Sequence, residues 1–417
     1  MGMMEYSILK KGRRGYIRPL PPLVLGKYFE GKLTYKKQGA EFMPNPMWAQ
    51  VKLYLIKSGS FPWGLLEEVV AVFELWKSVR PEESYKVQIL KREKIVPLNN
   101  PKLRQYQKEA VQVILYNHGG VLSMPTGSGK TFTCLDLLTE KSLVICPTKY
   151  LVEQWQEQVP DHVDVRTYQG MKDLSILQNY KIVVFDECHH VAAATLYKIA
   201  MKLQEQMVIG LSATPYREDG EELKVYGSLG KIVYQISLRQ LIDEGHLCDA
   251  QLDIVELEHL KWDGISNYQD IYRDYIIDNP ERNDQIVGKC EEYYGKKILI
   301  LVNQINHGEM LDSFLKPFNS VFLHSKTKKK DFDANIIIAT SILDEGIDLP
   351  DREVIVLAGG GKSSIKVLQR VGRVLRTHPS KKIATIVDFK DSAKYLSKHY
   401  KRRMEIYEEH GFNRKSI

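Results

Sequence analysis

From about residue 102 onward, short β-branched apolar runs alternate with stretches whose apolar positions recur at helical spacing. A first set of runs covers 120–123, 142–146, 182–185 and 208–211. A second covers 298–302, 321–323, 336–339, 354–358 and 384–387. These runs are apolar at nearly every position rather than at alternate ones. Strands buried on both faces read this way, as in a parallel sheet covered by helices. The pattern predicts an α/β chain with two such parallel sheets in tandem. Between the sets, roughly residues 220–295 are richer in charge and tyrosine, and the boundary is expected near Gly245.

Residues 1–95 read differently, with many basic and aromatic positions and a proline cluster at Pro19, Pro21 and Pro22. One apolar stretch, 63–79, has helical spacing, and a small basic α+β domain is expected here. Residues 91–101, with Pro97 and Pro101 flanking two asparagines, read as a linker. Three parts follow: 1–95, 96–245 and 246–417. No short-period repeat or low-complexity tract interrupts them.

Composition sharpens this picture in two places. The chain of 417 residues is 43% hydrophobic, enough for several cores. Its net charge is +7, but residues 1–100 hold 17 Lys+Arg against nine Glu, so the rest is close to neutral. A basic module joined to a near-neutral body suits a polyanion partner, or a merely solvated basic face. The five cysteines form no CxxC pair, so neither a zinc site nor a disulfide framework is indicated, and their scatter fits a reducing compartment. No apolar leader core or bilayer-length run is evident, so a soluble cytoplasmic or nucleoid-associated protein is expected.

Candidate chemistry begins where the first run ends. It leads into MPTGSGKT, Met124–Thr131. Gly127 and Gly129 let the backbone curl so that N–H groups, with those of Thr126 and Ser128, face a phosphate of ATP. Lys130 pairs with the β- and γ-phosphates in such a loop, and the Thr131 hydroxyl holds Mg²⁺. The strict pattern has Gly where this chain has Met124. Residues 182–185 then deliver DECHH, Asp186–His190. Carboxylates at such a strand end sit in the ligand crevice. Asp186 is expected to reach Mg²⁺ through water and Glu187 to orient and deprotonate the attacking water. His189 and His190 are adjacent and expected to point apart, which argues against a metal site; one of them is read as coupling to the neighbouring motif.

The ordered motifs MPTGSGKT, DECHH, LSATP (211–215), ATSILDEGIDLP (339–350) and QRVGRVLR (369–376) resemble those of superfamily 2 helicases over residues 102–390. LSATPYRED (211–219) is similar to the XPB-like branch, with UvsW-type phage branch-migration helicases as relatives. The resemblance implies two RecA-like motor domains and an ATP-driven DNA helicase or translocase, with 3′ to 5′ movement. It implies adenine recognition by the LRQYQ segment, with Arg104 and above all Gln107. Thr148, Lys149, Thr167, Gln169, Arg217 and Thr340 would track a nucleic-acid strand, while Ser212 and Thr214 link hydrolysis to that track. Gly346 and Asp348 would face the nucleotide, and Gln369 would position water or the γ-phosphate. Arg373 and Arg376, three apart and so sharing a helical face, would be arginine fingers, an effect of about 10³–10⁵ in rate.

One departure stands out. Only eleven residues, SKTKKKDFDAN (325–335), separate His324 from Ile336, close to the minimum for a parallel crossover. Lys326, Lys328, Lys329 and Lys330 there either contact phosphates or form a solvated loop. At the other end, residues 398–415 read as a final helix docked on the motor or a partner-binding tail. The N-terminal aromatics Tyr6, Tyr16, Tyr28, Tyr35 and Trp48 are favoured as core over base-stacking. The expected partner is single-stranded, forked or branched DNA, with a nuclease or repair protein alongside and no membrane; the protein is expected to be a monomer. The rival functions are an RNA helicase, a double-strand translocase that remodels without unwinding, and a nucleotide-gated DNA-binding scaffold.

Overall fold

The computed structural model describes residues 5–36, 50–81, 83–88, 95–214, 221–257, 267–324, 327, 331–340, 349–360 and 371–414. The chain divides into two compact units. The first comprises residues 1–124 and 129–236, the second residues 237–417 with 125–128. The division falls ahead of Ser237, so the helix Leu238–Asp243 lies in the second unit.

The first unit opens with a small mixed sheet. Strands β1 (Glu5–Lys11) and β2 (Arg14–Arg18) form a hairpin; β5 (Ser60–Pro62) flanks β2 and β6 (Ser84–Gln88) runs parallel to β1. A second ribbon pairs β3 (Thr34–Lys36) with β4 (Gln50–Lys52). Helices α1 (Leu23–Lys32) and α2 (Leu66–Val79) pack against one another. Along α2 the residues Val69, Val72 and Phe73 recur at helical spacing and are buried. Phe73 lies 5.3 Å from Tyr6, 5.0 Å from Phe29 and 5.1 Å from Tyr85, so aromatic packing holds this module. Tyr6 and Tyr35 are core, as favoured, whereas Tyr28 is exposed, Tyr16 is half-buried and Trp48 lies outside the described residues.

The rest of this unit is an all-parallel sheet of six strands in the order β12-β7-β11-β10-β8-β9. Its strands are β7 (Gly119–Ser123), β8 (Ser142–Cys146), β9 (Val163–Thr167), β10 (Ile182–Phe185), β11 (Met207–Ser212) and β12 (Ile232–Gln235). Helices α3 (Gln105–Asn117), α4 (Lys130–Leu135), α5 (Lys149–Gln156), α6 (Ala194–Ala200) and α7 (Glu222–Leu229) link or flank them. Every residue of β7, β8, β10 and β11 is buried, which explains their unbroken apolar runs.

The second unit contains α8 (Leu238–Asp243) and a parallel sheet of seven strands. In chain order these are β13 (Asp249–Glu256), β14 (Ile298–Leu301), β15 (Ser320–Leu323), β16 (Ile336–Ala339), β17 (Val354–Val356), β18 (Ile383–Lys390) and β19 (Asn413–Arg414). The spatial order is β15-β16-β14-β17-β18-β13-β19. Helices α9 (Tyr268–Tyr272), α10 (Pro280–Glu292), α11 (Ile305–Leu315) and α12 (Lys394–Glu409) complete it. β15 and β16 pair in parallel across the short crossover, in which no described residue is helical. Lys326, Lys328, Lys329 and Lys330 lie outside the described residues. Of the two readings of the C-terminal run, docking is what the structure shows: Leu396, Arg403, Ile406 and Tyr407 of α12 are buried. Arg403 grips Asp388 through two bonds of 2.8 and 2.9 Å, and the Tyr407 hydroxyl donates to the same carboxylate at 2.8 Å.

Among the described residues no helix is long and apolar enough to cross a membrane. All five cysteines are free and buried.

Candidate functional site at the carboxyl ends of the first sheet

Strand β7 leaves the sheet at Ser123 and turns at once. Gly127 and Gly129 have φ of 86° and 78°, values that L side chains seldom adopt. The turn ends at α4, whose first residue is Lys130 and second Thr131. The Lys130 ammonium donates to the Met124 carbonyl at 3.0 Å, which folds it back over the turn. The turn therefore brings a helix start and a cation together, elements that cradle an anion, although the Ser128 N–H expected to face a phosphate donates instead to the Pro125 carbonyl at 3.2 Å. A Cβ at Gly129 would lie 2.6 Å from Gln107 Nε2, so glycine is needed there for a second reason.

Gln107 itself is buried and has a structural task. Its Oε1 accepts the Arg104 N–H at 2.9 Å, closing the first turn of α3, while the Arg104 guanidinium reaches the Tyr106 hydroxyl at 3.1 Å. The sequence motif thus sets the amide of Gln107 beneath the phosphate-loop turn.

Two strands away, β10 delivers Asp186 and Glu187. Glu187 has φ of 45°, a left-handed conformation that turns the chain sharply into a 3₁₀ segment, Cys188–Ala192. Asp186 is held from two directions: Oδ2 accepts the Trp155 indole N–H at 2.8 Å and Oδ1 the Glu187 N–H at 2.9 Å. Burial pushes the Asp186 carboxyl up, and adjacent Glu187 pushes it further, against the pull of Trp155 and Lys130. Burial also raises Glu187, but the His189 hydrogen bond and the Lys130 charge outweigh it and hold the carboxyl low. The two carboxylates form one coupled acidic pair facing Lys130.

The histidines do not point apart. Because the segment is a 3₁₀ turn, the rings of His189 and His190 lie 4.2 Å apart, tilted by 38°. His189 Nδ1 lies 3.4 Å from Glu187 Oε2 and 3.2 Å from Ser212 Oγ. Ser212 Oγ also accepts the Thr214 N–H at 3.1 Å, and the Ser212 carbonyl accepts the Met124 N–H at 3.0 Å. Contacts therefore run from Glu187 across the His189 ring edge to Ser212 at the end of β11, whose carbonyl meets the start of the glycine turn. Among the described residues, no group of three His, Cys, Asp or Glu could hold a metal by itself.

Four of the six strand-track candidates lie at one end of the first sheet. Cys146 pairs with Thr167 across β8 and β9, so Thr148 and Lys149 follow the same end of the sheet as Thr167 and Gln169. Thr148 Oγ1 caps α5 by accepting the Leu151 N–H at 3.4 Å, and Lys149 and Gln169 are exposed. In the second unit, Thr340 follows β16 and its N–H donates to the Leu323 carbonyl at 3.3 Å. Arg217, Gly346, Asp348 and Gln369 lie outside the described residues.

Arg373 and Arg376 do not share a helical face. Residues 371–374 are helical, but Arg376 lies beyond, in an extended bridge opposite Leu247. The Leu375 carbonyl accepts the Cys248 N–H at 2.8 Å, which fixes this exit from the helix. Sequence reading also missed the part played by Trp155. It closes the CPTKYLVEQW segment, ten residues that begin at the end of β8, and its place in that segment was the available signal.

As oxygen donors, Thr131 and the Asp186 carboxylate are the type that a hard cation such as Mg²⁺ takes. The excess negative charge at Asp186 and Glu187 is what such a cation would offset. The arrangement can thus bind a polyphosphate at the glycine turn and present a carboxylate to its terminal group.

Comparison with known proteins is consistent with this geometry. Residues 100–175 and 162–217 match the family described as "Type III restriction enzyme, res subunit", and residues 281–378 match "Helicase conserved C-terminal domain". The "DNA 3'-5' translocase XPB2" of Sulfurisphaera tokodaii is 23% identical, over 70% of this chain and 83% of that one. The "ATP-dependent DNA helicase uvsW" of Enterobacteria phage T4 is 25% identical, over 74% of this chain and 75% of that one. Among solved structures, S. cerevisiae Dbp5 bound to RNA and ADP BeF3 has a TM-score of 0.52 at 14% identity, covering 76% of this chain and 91% of that chain. That last likeness shows the fold, two RecA-like parallel-sheet units.

Proposed function

The chain belongs to the superfamily 2 helicases, related to XPB and UvsW, and from that premise we propose that it couples ATP hydrolysis to 3′ to 5′ movement along DNA, remodelling duplex or branched DNA in repair, recombination or replication. The single observation that carries the reading is the run of contacts from Glu187 past His189 and Ser212 to Met124. It ties the hydrolytic carboxylates to both the phosphate turn and the segment that leads to Thr214.

In this reading Lys130 and the turn N–H groups bind the β- and γ-phosphates of ATP, an anion held by preorganised donors. Thr131 and Asp186 hold Mg²⁺, which when bound neutralises phosphate charge. Glu187, kept ionised beside His189, orients the attacking water and takes its proton. Gln369, Arg373 and Arg376 are assigned to the transferring phosphoryl group. Arg104 and Gln107 are assigned to the adenine, and Gly346 and Asp348 to the nucleotide. Thr148, Lys149, Thr167, Gln169, Arg217 and Thr340 contact the strand through phosphates, without reading bases. The basic module of residues 1–95 selects the substrate.

The test is ATP turnover by the purified chain alone and with single-stranded DNA, duplex DNA, a branched junction and single-stranded RNA. Stimulation by DNA supports the motor, and the best-stimulating structure names the substrate class. Stimulation by RNA alone assigns an RNA helicase. Nucleotide-dependent DNA binding without turnover assigns the scaffold.

A further inference from the structure

A groove of about 530 Å³ lies between the N-terminal module and the motor sheet of the first unit. On one side is the β1–β2 turn, which contributes Lys11, Arg13 and Arg14. On the other are Lys198 of α6 and Lys202 just beyond it. Among the described residues, five cations and no carboxylate line this space. A cleft lined by one sign of charge focuses its field and raises the local concentration of an oppositely charged partner.

The two walls are fixed against each other. Gly12 sits at the turn with φ of 59°, and a Cβ there would lie 2.7 Å from Gln204 Oε1 and 3.3 Å from the Leu203 carbonyl. Beside it, Lys10 pairs with Glu205 at 3.2 Å. The cations are thus presented by a clamped turn rather than by a loose tail, so little order has to be imposed when a ligand arrives.

The groove is remote from the ATP site. Asp186 and the glycine turn lie at the carboxyl ends of parallel strands. Lys202 lies in the connection that enters the amino end of β11, a strand of six residues spanning about 20 Å. The groove is also poor in open ring faces. The Arg18 guanidinium covers the Tyr16 ring at 5.7 Å, and Tyr197 is half-buried. Single-strand binders offer open aromatic faces on which bases stack; a cationic cleft whose two tyrosines are half-buried suits backbone phosphates of a paired helix.

We propose that this groove docks the phosphate backbone of double-stranded DNA, holding the duplex at the opposite end of the motor sheet from the nucleotide. The proposal deepens the translocase reading and rests on it for its biological role, but its test does not depend on turnover.

The test compares the full chain with its Arg14→Ala/Lys198→Ala/Lys202→Ala variant. A control variant, Lys296→Ala/Lys316→Ala/Lys382→Ala, removes three exposed lysines of the second unit, outside both the groove and residues 1–95. Binding of a fluorescent blunt duplex is followed by anisotropy across a salt series, beside DNA-stimulated ATP turnover. Each lost phosphate contact lowers the slope of log affinity against log salt by about 0.9, so the groove variant should lose about 3 in slope and at least roughly tenfold in affinity. Its turnover with single-stranded DNA should match wild type, and the control should keep the wild-type slope. Unchanged duplex binding by the groove variant overturns the proposal, as does an equal loss in the control, which would mark diffuse attraction to a basic surface. Wild-type turnover that no DNA stimulates overturns the motor reading instead, and the binding comparison still decides the groove.

Discussion

The indole of Trp155 donates to Asp186 Oδ2 at 2.8 Å, tying a helix that follows one strand to the carboxylate that ends the next. Trp155 is almost fully buried and lies near the end of the helix that begins with the track candidates Thr148 and Lys149. Trp155→Phe keeps most of the ring volume and removes the donor. A hydrogen bond to a charged group contributes about 1.5–3 kcal/mol, and that much stability should be lost in a denaturant melt. ATP turnover should fall roughly tenfold, as about 1.4 kcal/mol of misplacement at the carboxylate would give. Wild-type turnover would show that Asp186 is oriented without the indole.

Lys130 and Glu187 separate binding from chemistry. Lys130→Ala should abolish hydrolysis with the fold intact by circular dichroism. Glu187→Gln should still bind a fluorescent ATP analogue while turning ATP over very slowly, because the amide cannot take the proton. Normal turnover by either variant removes the corresponding assignment.

Arg376 stands in a bridge opposite Leu247 and beyond the helix that carries Arg373. As a finger, Arg376→Ala should cut turnover by about 10³ or more with little change in nucleotide affinity. Loss of affinity alone would make it a ground-state phosphate ligand.

The clamp on α12 is a buried ion pair, with side-chain exposures of 1% for Arg403 and 0% for Asp388. Removing one member of such a pair leaves the other charged and unsolvated. Asp388→Ala should therefore destabilise the second unit by about 3–5 kcal/mol in urea melts. A loss under about 1 kcal/mol would show that α12 docks by apolar packing alone.

His307 gives a pH dependence of definite sign. The Asn283 amide donates to the Ile277 carbonyl at 2.8 Å, so its Oδ1 faces His307 Nε2, 3.1 Å away, and Nε2 must donate. Burial, then the nearby Arg282 charge, lowers the His307 pKa to about 3. The unfolded chain takes up this proton near pH 6.5 and the folded chain does not. Stability from this group is thus intact above about 6.5 and falls as pH drops towards 3, by up to about 1.4 kcal/mol per unit. His307→Gln should flatten the fall in unfolding free energy between pH 6.5 and 4.5. An unchanged slope would place the acid sensitivity elsewhere.

The strands legible in the sequence were those buried on both faces. Runs such as residues 142–146 and 336–339 admit no other reading once the turn signals around them are included. In the two large sheets the strands it concealed were β9, β12, β13 and the two-residue β19, which carry charged or half-exposed positions; β13 holds Asp249, Asp253 and Glu256 yet lies between β18 and β19. Burial on one face only, or ion pairing such as Lys289 with Asp253 at 2.8 Å, hides such strands from hydropathy. For the candidate site, the glycine turn and the acidic pair were legible because phosphate binding demands particular residues at short spacing. What only the tertiary structure decided were contacts between segments far apart in the chain: Trp155 on Asp186, Gln107 beneath Gly129, His189 against Ser212, and the basic turn facing α6. The exit of Arg376 from its helix belongs with them, since pairing with Leu247 outweighs local helical spacing. Local sequence fixes which groups are available and which way a segment prefers to bend. Packing across the sheets decides which of those groups meet.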